Sequence, residues 1–300
     1  MTTPAVQFDN VTFAYAPGAP PAIEGVSISV AEGEFLAVVG PNGGGKSTFL
    51  KLMLGLLRPS AGEVRVNAES PEKARAHGVV GWVPQRSGAA PSFPASAREV
   101  VRMAASWRAS AWRPLPRNAR ERADEALGVV GASDFADQTI GRLSGGQFQR
   151  VMIARAIASG ATILALDEPT VGIDAVGQQQ FASLLKRLHK DLGLTVLLVS
   201  HDLRTVAGAA GATPGGAACD RVACLRRRLH FHAAPKGITP QVLAQVFEHD
   251  LAGVFGDVHV DAHRADECAD HTHTHAAAPT VALGIDAPRR TPPPTPEGRP

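Results

Sequence analysis

The chain has 300 residues, 44% hydrophobic and 19% charged, with a formal net charge of +2. That allows one large domain or two modest ones, and a charge so nearly balanced gives no general argument for nucleic-acid binding. Three cysteines (Cys219, Cys224, Cys268) suggest no disulfide framework, and the opening MTTPAVQFDN lacks the charged-then-apolar pattern of a signal peptide. No apolar run approaches the ~20 residues that span a bilayer, so any membrane process would be served through a partner.

Residues 5–15 (AVQFDNVTFAY) alternate apolar and polar with a bend at Asp9-Asn10, which reads as antiparallel strand material with one buried face. Tyr15, the only tyrosine, precedes a Pro/Gly-rich loop. It reads equally as a strand-end aromatic or as a platform for a nucleobase. Residues 23–30 form a second alternating strand, and 34–39 (EFLAVV) a short buried one. The next nine residues, Gly40-Pro41-Asn42-Gly43-Gly44-Gly45-Lys46-Ser47-Thr48, fit the phosphate-binding pattern G-x-x-x-x-G-K-[ST]. The glycines let the backbone wrap a phosphate, and the N–H groups of the following helix face the anion. Lys46 is suited to the β and γ phosphates and the Ser47 hydroxyl to Mg²⁺. Apolar spacing over 48–57 predicts that helix.

A turn at 58–62 leads to a strand at 63–66, and the apolar run 78–83 ends at Pro84-Gln85. Ser96 to Glu99 is a capping box opening a helix to about residue 105, and 117–130 reads as an amphipathic helix. Between them, Trp107 and Trp112 lie among arginines, which suits a protein-contact surface or local packing better than nucleic acid. Leu143 to Gln147 (LSGGQ) precedes a helix at 148–159, its glycine pair again suited to a phosphate. ILAL (163–166) is a buried strand ending in Asp167-Glu168, and 178–192 a helix stopped by Gly193. The strand 194–199 delivers Ser200-His201-Asp202. Strands alternating with helices, with polar residues at strand ends, predict an α/β fold with a mainly parallel sheet and ligands at its carboxyl edge. Residues 207–218 are low-complexity, 221–225 a last strand, and 239–247 a short helix.

From residue 256 the chain is rich in His, Pro and Thr, and no packed structure is expected there. His259, His263, Cys268, His271, His273 and His275 crowd this tail, and H-T-H-T-H brings three imidazoles together without a fold. They are candidate Zn²⁺ ligands against the plainer reading of a solvated polar tail; the zinc content of the intact chain decides between them. Cys219, Cys224, His230 and His232 suit strand burial better than a second metal site.

The phosphate loop, Gln85, LSGGQ, ILALDEP and the strand-end His201 occur in one order, and together they resemble the ATP-binding subunit of ABC transporters over about residues 5–232. The resemblance implies a P-loop NTPase (RecA-like) core, an N-terminal antiparallel β subdomain and an inserted α-helical subdomain (about 86–158) carrying the signature. The ATPase domain would cover 1–235, a short helical extension 236–256 and the tail 257–300. The cofactors would be ATP and Mg²⁺. Asp167 would hold Mg²⁺ with Ser47 and Gln85, Glu168 would be the general base, and His201 would contact the γ-phosphate. Tyr15 would stack on adenine, and Asp174 would lie in the loop joining two subunits. Ser144, Gly145, Gly146 and Gln147 would complete the site of a second copy, so a homodimer closing on ATP is implied.

LSGGQFQR and the stretch VPQRSG…SFPASAREVV look like the zinc/manganese importer branch. That implies a separate membrane permease, a solute-binding protein, no nucleic acid and a place on the cytoplasmic face of the membrane, with 86–116 as the permease dock. The alternatives are transport of a non-metal substrate and a soluble ABC ATPase of DNA maintenance. The second usually inserts coiled coils or zinc modules, and residues 48–143 contain no heptads and no CxxC pair.

Overall fold

The structure, a computed structural model, describes residues 3–85, 94–108, 116–171, 173–201 and 219–233. Among the described residues nine strands form two sheets. In chain order they are β1 (Val6–Phe13), β2 (Ile23–Val30), β3 (Phe35–Val39), β4 (Ala61–Val66), β5 (Val80–Val83), β6 (Ile163–Asp167), β7 (Thr195–Ser200), β8 (Arg221–Arg226) and β9 (Arg228–Ala233). The smaller sheet is antiparallel in the order β2-β1-β4, with β1 bulged where the sequence bends at Asp9-Asn10. The larger runs β5-β6-β7-β3-β8-β9, parallel throughout except for the closing β8–β9 hairpin.

Six α-helices accompany them among the described residues: α1 (Lys46–Met53), α2 (Pro71–Ala76), α3 (Ala97–Ala105), α4 (Arg117–Val129), α5 (Gly145–Ala158) and α6 (Ala175–Leu192). The central strands are buried on both faces, so alternate residues feed two cores. Phe35, Ala37, Val39, Leu164, Leu166, Val196 and Leu198 pack with residues of α3, α4, α5 and α6. Leu36, Val38, Ile163, Ala165, Leu197 and Val199 pack with α1 and the antiparallel sheet. Phe8 of β1 stacks on Phe49 of α1, with ring centroids 4.2 Å apart. Such a pair adds about 0.5–1.5 kcal/mol beyond its buried area and fastens the small sheet to the phosphate-loop helix.

Several boundaries differ from the sequence reading. Helix α1 begins at Lys46 and stops at Met53, because Gly55 turns left-handed (φ +63°) against the backbone of Glu72. Leu56, read as part of its apolar face, is exposed. Helix α5 begins at Gly145, three residues early, because Ser144 and Gln147 close a capping box on its first turn. LSGGQ is therefore mostly helix. Likewise α6 starts at Ala175, where Asp174 accepts from the Gly177 N–H at 2.9 Å. Helix α2, with Ser70 as its cap and Pro71 at its first position, was not anticipated, nor was β9.

Candidate active site

The functional residues gather at the carboxyl ends of parallel strands, as an open α/β sheet requires. β3 runs into Gly40, β5 leads to Gln85, β6 ends at Asp167 and β7 leads to His201. The register pairs Val39 with Ser200 and Asp167 with Val199, so these ends lie level.

The loop Gly40–Thr48 is shaped by close backbone neighbours. A Cβ on Gly40 would stand 2.1 Å from the Leu225 carbonyl oxygen, and one on Gly44 would stand 2.8 Å from the same atom. Gly45 has φ +96° and faces the Ala22 carbonyl. The Arg227 N–H donates to the Gly44 carbonyl at 2.9 Å. The loop is thus braced from behind by the β8–β9 turn, which leaves its front to a ligand. Lys46, 5% exposed, donates to the carbonyls of Gly40 and Pro41, each at 2.9 Å. Burial pulls its pKa down, opposed by Glu168 and Asp167.

Glu168 follows β6 with φ +45° while its N–H still donates to the Val199 carbonyl at 2.9 Å. Three donors meet its carboxylate. Gln85 Nε2 lies 3.2 Å from Oε2, and His201 Nδ1 and Lys46 Nζ lie 3.1 Å and 3.8 Å from Oε1. Ser47 Oγ is 3.5 Å from Asp167 Oδ1. Burial and then the neighbouring charge of Glu168 push the Asp167 carboxyl above the usual carboxylate range, with Ser47 and Lys46 pulling the other way. Two adjacent acids, one of them raised by burial and then by its neighbour's charge, beside a hydroxyl, are a donor set that fits a hard divalent cation.

Glu168 and His201 also border a cleft of about 250 Å³ with Thr170, Val171, Ile173, Gln178 and Ser200. Tyr15 is 62% exposed, braced edge-on by Phe13 (5.0 Å between centroids) and hydrogen-bonded to Thr48 Oγ1 at 3.0 Å. An exposed ring held upright beside the phosphate loop suits base stacking better than core packing.

Of the residues singled out, the structure thus brings Lys46, Ser47, Gln85, Asp167, Glu168 and His201 into one cluster. Asp174 is an N-cap. Ser144 and Gln147 direct their side-chain bonds into their own turn: Ser144 Oγ accepts from the Gln147 N–H at 3.3 Å and Gln147 Oε1 accepts from the Ser144 N–H at 2.9 Å. Gly146 has open space where a Cβ would stand. Trp107 packs on Gly78 and donates to the Ser159 carbonyl at 3.1 Å, so it is local packing. Cys219 and Cys224 are buried free thiols, their pKa values pushed up by burial to about 12 and about 11, which does not favour thiolate ligation. Trp112, the loop 86–93, residues 207–218, the helix at 239–247 and the tail with His259, His263, Cys268, His271, His273 and His275 lie outside the described residues. Backbone groups of Ala22, Leu225 and Arg227 shape the loop without any sequence signal. The Tyr15–Thr48 bond had none either.

A glycine loop between strand and helix, a buried lysine at its end and an acidic pair at the end of another strand of the same sheet, with β7 between the two, define a P-loop nucleoside triphosphatase. The ABC transporter family profile matches residues 23–171. The zinc transport system ATP-binding protein TroB of Treponema pallidum is 44% identical over 208 residues, 69% of this chain and 76% of that protein. The manganese transport system ATP-binding protein MntB of Bacillus subtilis is 40% identical over 200 residues, covering 67% and 78%. A dimeric ATP-binding cassette solved after hydrolysis with ADP and phosphate bound superposes with TM-score 0.64 at 29% identity, covering 78% of this chain and all of that one. The chain belongs to the ATP-binding subunits of ABC transporters and is an ATPase. Among the described residues no helix is long and apolar enough to cross a membrane.

Proposed function

We propose that this chain is the motor of a divalent-metal importer of the zinc or manganese kind. It works as a homodimer on the cytoplasmic face of a separate membrane permease supplied by a solute-binding protein. The names of relatives at 40–44% identity support the cargo. The observation that carries the mechanism is the triple grip on Glu168 by Gln85, His201 and Lys46.

Each of those donors suits an anion, and the substrate's γ-phosphate is a stronger one than a single carboxylate. ATP laid along Gly40–Thr48, with its base on Tyr15, draws Lys46 off the Gly40 and Pro41 carbonyls and draws Gln85 and His201 off Glu168. The carboxylate is then free to orient water and accept its proton. The water oxygen bonds to the γ-phosphorus, the bond to the bridging oxygen breaks, and ADP departs. Ser47, Asp167 and Gln85 would hold Mg²⁺, which when bound would neutralise part of the phosphate charge. Ser144, Gly145, Gly146 and Gln147 close the site from the second copy, with Asp174 in the loop between the copies, because the helix-start N–H groups of α5 suit an anion.

Glu168→Gln should bind ATP, hydrolyse it about 10²-fold or more slowly, and accumulate as a dimer in gel filtration. A monomer with ATP, even beside the permease, refutes the homodimer. For the cargo, ATP hydrolysis by the chain reconstituted with its permease is measured across a series of divalent metals. Stimulation by neither zinc nor manganese refutes that reading.

A further inference from the structure

Among the described residues, strand β5 is an outer strand of the larger sheet, four residues long and paired with β6 alone. Gln85 follows two residues after its end, so the position of that side chain over Glu168 depends on where β5 is held. Sheet pairing fixes one edge of the strand, and whatever packs on its faces and its open edge fixes the rest. That packing includes α5. Helix and strand approach closely enough that a Cβ on Gly81 would stand 2.4 Å from the Ala156 Cβ. One residue before Ala156, the Arg155 guanidinium donates from Nη2 to the Trp82 carbonyl at 2.8 Å, three residues ahead of Gln85.

A neutral donor would satisfy that carbonyl. Arg155 instead brings a charge whose burial lowers its pKa, a costly choice when only a hydrogen bond is needed. The same end of α5 is gripped again by the Trp107 indole, which donates to the Ser159 carbonyl at 3.1 Å. Arg108, beside it, bonds the His77 carbonyl on the approach to β5. The opposite end, roughly 15 Å along the axis from Arg155 at 1.5 Å per residue, carries the signature turn, where Ser144 and Gln147 bond each other. Helix α5 is therefore anchored where it meets the strand that leads to Gln85.

We infer that Arg155 is a positioning residue that ties the placement of Gln85 to the lie of the signature helix. The inference rests on the role of Gln85 proposed above. The test is a double-mutant cycle on ATP hydrolysis by the full-length chain, using Arg155→Met, Gln85→Ala and the pair. Arg155→Met should lower kcat about tenfold with KM within about twofold of the parent, the signature of a misplaced catalytic contact. In the Gln85→Ala background it should add nothing, because the group it positions is gone.

A merely structural Arg155 would reduce activity by the same factor in both backgrounds, and that result overturns the inference. So does an unchanged kcat in Arg155→Met. If Gln85→Ala hydrolyses ATP at the parent rate, the assigned role of Gln85 fails and this inference fails with it. A slow Gln85→Ala combined with an additive Arg155→Met sinks the positioning role alone. Should Arg155→Met not fold, Arg155→Gln takes its place in the same cycle and is judged by the same additivity.

Discussion

Glu168 holds φ +45° at the end of β6, a left-handed conformation that costs a non-glycine residue of order 1–3 kcal/mol. It persists because the Val199 carbonyl and the three donors on its side chain hold it from both ends. Its neighbour Asp167 is strained electrostatically, with burial and the charge of Glu168 raising its pKa. An acid whose folded pKa is raised takes stability away as pH climbs through that value. Asp167→Asn should therefore abolish hydrolysis yet raise the Tm of the nucleotide-free chain at pH 7 by about 2 °C. The gain should shrink as pH falls through the raised pKa, since protonated Asp167 is also neutral. Thermal melts at two pH values decide it, and a lower Tm at pH 7 refutes the account. The acidic pair was readable as a site because it follows four apolar residues, ILAL. The left-handed turn that aims Glu168 was not, since glutamate carries no preference for that conformation.

At the scale of elements, α5 shows which glycines serve the fold and which do not. Gly40 and Gly44 are forced by the Leu225 carbonyl, whereas Gly146 is helical and faces open space. Within one chain, alanine at Gly146 should stabilise α5 by about 0.5–1 kcal/mol. If Gly146 instead leaves room for a phosphate on another copy, Gly146→Ala should fold at least as well as the parent and hydrolyse ATP about 10²-fold more slowly. Calorimetry beside an ATPase assay checks both halves, and an active variant would refute the ligand role. The start of α5 was misplaced because the glycine pair looks like a turn. The capping box that makes Ser144 its boundary is written in the same residues, with Gln147 at the third position of the helix. β9 escaped for a different reason: its hairpin turns at Arg227 (φ +58°), where no glycine or asparagine marks a reversal.

For the whole molecule, the parallel sheet was the most legible feature, since strands buried on both faces read as short apolar runs such as ILAL and LTVLLV. Their pairing order was not legible, because backbone bonds between β3, β7 and β8 leave no trace in side-chain spacing. The capping bonds that Ser144 and Gln147 make within their own turn also bear on how defects combine between copies. If each catalytic centre draws its base from one copy and its signature from the other, the two lesions Glu168→Gln and Gly146→Ala are not equivalent to one another. A mixed pair would place both lesions in one centre and leave the other entirely intact. Two inactive proteins, denatured and refolded together or co-expressed, should then recover on the order of a quarter of parental turnover if copies pair at random. Chains that relied on their own signature would stay dead in company, so rescue between mutants reads the architecture without a structure of the pair.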